Sequence, residues 1–334
     1  MVTKSSSKIT KQSYKNLVSN SSKILQPCED LYKMYKLDPK ISKILKKHKL
    51  GVFLEEKISL YAPWKWIRKI QKDNALKLNQ QCPWAYNMDI NKGTSLRVIL
   101  PENLHKNNKK AKGTCIYIHG GGWCVGAKDL EDKMLVELAN GTQYCVVSVG
   151  YRLAPENPYP AGNDDCVSAV EAVINKYWNK WAKTDKLVIT GDSAGAHLAL
   201  CTMITLTNKL GKCPFSKASL FFGVYAPHQP FDEREKYVLL TKKMMTRFQK
   251  AYSTDYSKKT MVDLSYTSLP LMCPTQFIVG TNDIMYRGNL DMYANWRSSK
   301  NTGDLLIFKG QPHAFTTIPH TAATQAKLCR IKYL

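Results

Sequence analysis

The sequence has no run near the ~20 consecutive apolar residues that a bilayer crossing requires, and its first thirty residues carry Ser, Lys and Asn without an apolar block. Neither a cleaved secretory leader nor a transmembrane anchor is therefore expected. HExxH, a GxGxxG after a strand, and a GKS or GKT loop are all missing. No metal, nucleotide or flavin cofactor is expected. Ten cysteines are present (Cys28, Cys82, Cys115, Cys124, Cys145, Cys166, Cys201, Cys213, Cys273 and Cys329), but none stands in a CxxC or other metal-ligand spacing. Several fall inside runs that read as core strands, so they are expected to be free thiols in a reducing, cytoplasmic compartment. Acidic residues are scarce, 26 against 49 Lys and Arg, and about 16 of the resulting net charge of +23 falls between Met1 and Lys112. The surplus is nearly all lysine, spread singly, with no arginine and aromatic cluster suited to stacking on bases. It reads as a solvated face rather than a nucleic-acid site.

What is there is a chain of 334 residues, 44% apolar, enough for one large globular domain or two modest ones. The Ser- and Lys-rich first 25 residues read as a frayed terminus. From Leu25 to Cys82 apolar residues recur every three or four positions, as in WKWIRKIQKDNALKL, the pattern of helices. After Pro83 short runs rich in Val, Ile, Phe and Tyr alternate with amphipathic stretches. The runs lie at 95–100, 114–119, 144–149, 186–191, 218–224, 275–280 and 304–310, with helices expected at Leu130–Asn140, Asp165–Trp181, Ala194–Leu210 and Gly288–Ser298. That alternation predicts an α/β fold with a mostly parallel sheet covered on both faces. Residues Tyr225–Tyr266 interrupt it with helical spacing and no strand, which predicts an insertion able to roof the carboxyl ends of the strands.

One candidate site stands out. The strand KLVIT runs through Gly191-Asp192-Ser193-Ala194-Gly195 into the helix AHLALCTMITLTNKL. A GxSxG between strand and helix makes a sharp elbow that lifts the serine hydroxyl off the sheet. A serine hydroxyl is a poor nucleophile at neutral pH, so it needs an imidazole, and the imidazole needs a carboxylate to fix its tautomer. In this arrangement the acid and then the histidine follow the serine along the chain, each just past a strand. Asp283, after TQFIVG, and His313, after DLLIFKG, fit that order. Asp192 precedes the serine, Asp291 falls in a helix and Asp304 at a strand start. The attack also creates an oxyanion, which needs preorganised N–H donors. His119-Gly120-Gly121-Gly122-Trp123 follows the strand TCIYI and offers them, with the Ala194 amide as a further donor. His119 reads as a brace for that loop and His197 as a packing residue on the elbow helix.

HGGGW at 119–123, YRLAPENPYPA at 151–161, GDSAG at 191–195 and the settings of Asp283 and His313 together resemble the hormone-sensitive-lipase group of α/β-hydrolases, which includes bacterial esterases and arylacetamide deacetylases. The resemblance covers about Ser95 to Pro319. It implies an α/β-hydrolase fold, with a mostly parallel eight-stranded sheet, helices on both faces and a helical cap. It further implies Ser193 as nucleophile, Asp283 and His313 as its partners, and amides among Gly120, Gly121, Gly122 and Ala194 as the oxyanion hole. The cap would comprise residues 1–82 and an insertion at about 225–266 after the sixth strand, within a core of 83–334. The YRLAPE stretch reads as structural, since Pro155, Pro158 and Pro160 stiffen a loop leaving a strand.

The expected function is hydrolysis of small carboxylic esters of short to medium acyl chain through an acyl-enzyme, with monomer and dimer equally open. Two alternatives use the same scaffold. Amide hydrolysis, as in arylacetamide deacetylases and kynurenine formamidases, demands more of His313, which must protonate an amine leaving group. A small-molecule receptor, like the plant gibberellin receptors that resemble this group but lack the catalytic histidine, fits less well because His313 is present. Trp64, Trp66, Trp84, Trp123, Met244, Met245 and Phe248 can line an apolar pocket or serve as ordinary core.

Overall fold

The computed structural model describes residues 37–47, 57–77, 81–91, 93–227, 237–253 and 263–334. The frayed terminus expected from the sequence, and parts of both expected cap segments, lie outside them. Eight strands form one sheet: β1 (Tyr86–Asn91), β2 (Thr94–Ile99), β3 (Thr114–Ile118), β4 (Cys145–Gly150), β5 (Leu187–Asp192), β6 (Lys217–Phe221), β7 (Thr275–Asn282) and β8 (Gly303–Pro312). Their order is β1-β2-β4-β3-β5-β6-β7-β8. β1 with β2 and β2 with β4 are antiparallel, and every later pair is parallel.

The central strands are continuous apolar runs because both sheet faces are covered. Alternate residues feed two cores: Ile116 and Ile118 of β3 pack into the larger, Cys115 and Tyr117 into the smaller. β1 escapes the sequence pattern for the opposite reason. YNMDIN is an edge strand whose Met88 and Ile90 are only half buried, so it carries little apolar signal.

The main helices are α1 (Pro39–Lys47), α2 (Trp64–Lys77), α3 (Glu102–Lys106), α4 (Asp132–Thr142), α5 (Ala161–Ala172), α6 (Trp178–Trp181), α7 (Ala194–Leu210), α8 (Lys242–Tyr252), α9 (Tyr286–Ser298) and α10 (Thr321–Tyr333). α7 has the bounds the sequence suggested and ends on Gly211 at φ 71°, the left-handed cap that glycine favours. The helix expected at Asp165–Trp181 instead begins at Ala161, and a π-helical turn at Val173–Tyr177 separates α5 from α6. No described helix is long and apolar enough to cross a membrane.

α2 and α8 meet above the carboxyl ends of the strands. The Trp64 and Phe248 rings are 5.4 Å apart, and the Arg247 guanidinium sits 3.9 Å over the Trp64 ring while donating to Ala62 O at 2.6 Å. α2 is tied down on its other side by Arg68. Its guanidinium donates to Cys124 O and Ala154 O, both at 2.7 Å, and pairs with Glu156 at 2.8 Å. Two of those partners belong to the YRLAPE stretch, so this loop anchors the N-terminal helix. A second ion pair, Arg152 with Asp165 at 2.8 Å, holds the loop to α5.

Candidate active site

β5 delivers its chain directly into α7 with no linker, and the reversal is concentrated in one residue. Ser193 sits at φ 57°, ψ −119°, a region that side-chain-bearing residues rarely occupy. The turn closes so tightly that a Cβ on Gly191 would lie 2.5 Å from Gly195 O, and one on Gly195 would overlap Ile118 O. The two glycines of the elbow are therefore steric necessities, and they force the hydroxyl outward.

Asp283 follows β7 and His313 follows β8, so all three candidate residues leave the same end of the parallel strands β5, β7 and β8. Ser193 Oγ donates to His313 Nε2 at 2.9 Å. His313 Nδ1 donates to Asp283, with both carboxylate oxygens at 2.9 Å. Asp283 Oδ1 also accepts the Met285 amide at 2.8 Å, which fixes the carboxylate's orientation. Asp283 and His313 are 2% and 6% exposed. The hydrogen bond between them is thus shielded from competing water.

The His119–Trp123 loop crosses beside the elbow. A Cβ on Gly120 would come within 2.8 Å of Asp192 O, and Gly121 and Gly122 hold φ 109° and 56°. Among the described residues no carbonyl accepts the Gly121 or Gly122 amide, and the Ala194 amide opens α7, where N–H groups lack intrahelical acceptors. His119 donates from Nδ1 to Gly120 O at 2.8 Å and stacks on Tyr151 at 4.3 Å, while the Tyr151 hydroxyl donates to His119 O at 3.0 Å. Burial pushes the His119 imidazole down to about 4, so it is neutral at physiological pH and acts as a brace.

These groups open on a cavity of about 690 Å³ lined by Gly120, Gly121, Gly122, Ser193 and His313. Its wall also carries apolar Phe222, Val224, Leu240, Met245 and Phe248 and polar Gln71, Asn74, Glu131 and Asp192. Of the aromatics and methionines singled out from sequence, Met245 and Phe248 reach this wall. Trp123 is core, stacked on Tyr252 at 4.3 Å, and Trp66 is 66% exposed. His197 is fully buried beneath Trp123, accepting its indole N–H at 3.3 Å.

Sequence reasoning set Asp192 aside as an alternative acid and assigned no role to Glu131, Tyr117 or Arg330. The structure joins them. Tyr117 Oη is hydrogen-bonded to Glu131, lies 3.3 Å from Asp192 Oδ2, and Asp192 pairs with Arg330 of α10. A tyrosine in the buried run TCIYIH was the one available signal, since a buried phenol needs a polar partner.

A family model described as alpha/beta hydrolase fold matches residues 115–317. The chain is 40% identical over 99 residues to the carboxylesterase NlhH of Mycobacterium tuberculosis, covering 30% of this chain and 31% of that one. It is 30% identical over 158 residues to an arylesterase of Saccharolobus solfataricus, covering 47% of each. The matched stretches thus span a third to a half of these relatives. Among solved structures, an esterase of Pyrobaculum calidifontis superposes with a TM-score of 0.74 at 22% identity, over 89% of this chain and 98% of that one, a likeness of fold.

Proposed function

The chain belongs to the α/β-hydrolase fold family, and from that premise we propose that it is a serine carboxylesterase acting on small esters of short to medium acyl chain. The observation that carries the reading is the continuous hydrogen-bond relay from Ser193 through His313 to Asp283, opening on a cavity beside unpaired loop amides. In this mechanism Ser193 Oγ attacks the acyl carbon as its proton passes to His313 Nε2, and Asp283 stabilises the imidazolium. The carbonyl electron pair moves onto oxygen, where the Gly121, Gly122 and Ala194 amides receive it, with Gly120 allowing their close approach. Collapse expels the alkoxide, which takes the proton from His313. Water, deprotonated by the same imidazole, then attacks the acyl-enzyme and releases the acid.

Esters are favoured by the names of the similar carboxylesterase and arylesterase. The finite cavity, apolar toward α8, suits an acyl chain of modest length. α2 and α8 act as the cap in this reading, closing the site from above. A cytoplasmic location is supported by the cysteines, nine of which are unpaired among the described residues. The receptor alternative loses its support from the 2.9 Å contact of His313 with the serine.

The test is steady-state hydrolysis of p-nitrophenyl acetate and butyrate. Ser193→Ala is expected to lower kcat at least about a thousandfold while its circular dichroism stays that of the wild type. Unchanged turnover in the variant would end the reading.

A further inference from the structure

Glu131 sits just before α4, partly buried, and lines the cavity that holds Ser193. Behind it, the Tyr117 phenol is in hydrogen-bond contact with Glu131 Oε2 and 3.3 Å from Asp192 Oδ2. A phenol carries one proton, so it donates to only one of two carboxylates. Glu131 is the closer partner, so the phenol donates there, while Asp192 keeps the Arg330 guanidinium as its counter-ion.

We propose that Glu131 sets the charge of the ester this cavity accepts, selecting substrates with a cationic group over their neutral isosteres once its proton has left. The proposal rests on the hydrolase reading of the same cavity and goes further by naming a substrate class. Glu131 and Asp192 both line the cavity, whereas Arg330 and Lys327, the cations of α10 that face Glu131, do not. The cavity therefore sees the carboxylates more directly than their counter-ions, and an approaching cation is attracted there.

The other titratable groups facing Glu131 are Tyr117 on β3, Asp192 at the end of β5 and, more weakly, Tyr151 after β4. Lys128 and Asp129 lie on its own loop, and the adjacent Asp132 is committed to Arg97 at 2.7 Å. Burial first, and the Asp192 charge second, push the Glu131 carboxyl up to about 7, within the range where an esterase works; Tyr117, Arg330 and Lys327 hold it from rising further. Phe222 and Phe248, which also line the cavity, offer apolar surface to the remainder of such an ester.

The experiment compares acetylthiocholine with its neutral carbon isostere, which has the same shape and the same reacting thioester. Released thiol is read with a pyridine disulfide from about pH 6 to about pH 8, with p-nitrophenyl butyrate followed in parallel. Any pH effect on the shared chemical step touches both thioesters alike and cancels in the ratio of their kcat/KM values. That ratio is expected to rise about fivefold across the range in the wild type, since a charge worth about tenfold at close range is about one-tenth present at the lower end and about nine-tenths present at the upper. In Glu131→Gln it should stay flat at the low-pH value. In Tyr117→Phe, which removes a hydrogen bond to the carboxylate, the midpoint should move upward. If the thioesters turn over too slowly, inhibition of butyrate hydrolysis by choline and by its carbon isostere reads the same ratio. A flat ratio in the wild type, or an undiminished rise in Glu131→Gln, overturns the proposal alone. Hydrolysis of none of the three esters overturns the esterase reading and this proposal together.

Discussion

Ser193 holds a backbone conformation that costs ~1–3 kcal/mol, and its neighbours make it unavoidable. Gly195 shows why the strain cannot relax: a methyl group there would press on the carbonyls of Ile118 and His119, which are fixed backbone rather than flexible side chains. Gly195→Ala is expected to destabilise the fold by about 3 kcal/mol or more, measured as the shift of the urea midpoint. A midpoint within the error of the wild type would mean that the elbow is looser than described. Glu131 carries a pH effect of defined sign. Its folded carboxyl keeps a proton up to about 7 that an ordinary glutamic acid at 4.5 gives up, so the folded state binds more protons across that window. Folding stability therefore falls as pH rises from about 4.5 to about 7, and the whole cost is present above it. Glu131→Gln should raise Tm at about pH 8 and change it little at about pH 4, where both states are protonated; an equal effect at both would contradict the assignment. At this scale the serine, acid and histidine were legible because their chemistry dictates order and strand-end placement. The Glu131 cluster was not, because Tyr117, Glu131, Asp192 and Arg330 are joined only by the sheet and by α10.

Among the elements, the parallel core strands and α7 were legible for the same reason that they are stable: they are buried and apolar along their length. β1 and α10 were missed. β1 pairs on one edge only, and α10 begins TAATQAK, with a weak apolar stripe, yet it brings Arg330 to Asp192 and lays that guanidinium 3.6 Å over Phe221. The YRLAPE loop was legible as rigid but not as an anchor, since Arg68 lies 86 residues from Ala154. Replacing Arg68 by Met keeps much of the packing and removes three connections from α2. The expected result is a KM for p-nitrophenyl butyrate raised several-fold, with kcat changed far less, because α2 supplies Gln71, Asn74 and Ala75 to the cavity wall and nothing to the relay. A kcat loss as large as that of Ser193→Ala would show that α2 is coupled to the relay itself.

For the molecule as a whole, the sheet brings together at one edge residues separated by 120 positions, Ser193 and His313, and the helices α2 and α8 turn that edge into an enclosure. The charge surplus of the first third finds no counterpart at the relay, where the charged groups are one carboxylate and whatever proton the imidazole carries. What makes the site is convergence of strand ends, and convergence can be tested chemically. The most direct measurement is mass spectrometry of the protein after exposure to a fluorophosphonate, which reacts only with a serine that is deprotonated as it attacks. One adduct on the peptide carrying Ser193 is expected in the wild type, with none in His313→Ala, and a rate reduced by about four orders of magnitude in Asp283→Asn, as loss of the orienting carboxylate predicts. Labelling that proceeds at full rate without His313, or that falls on another serine, would contradict the account.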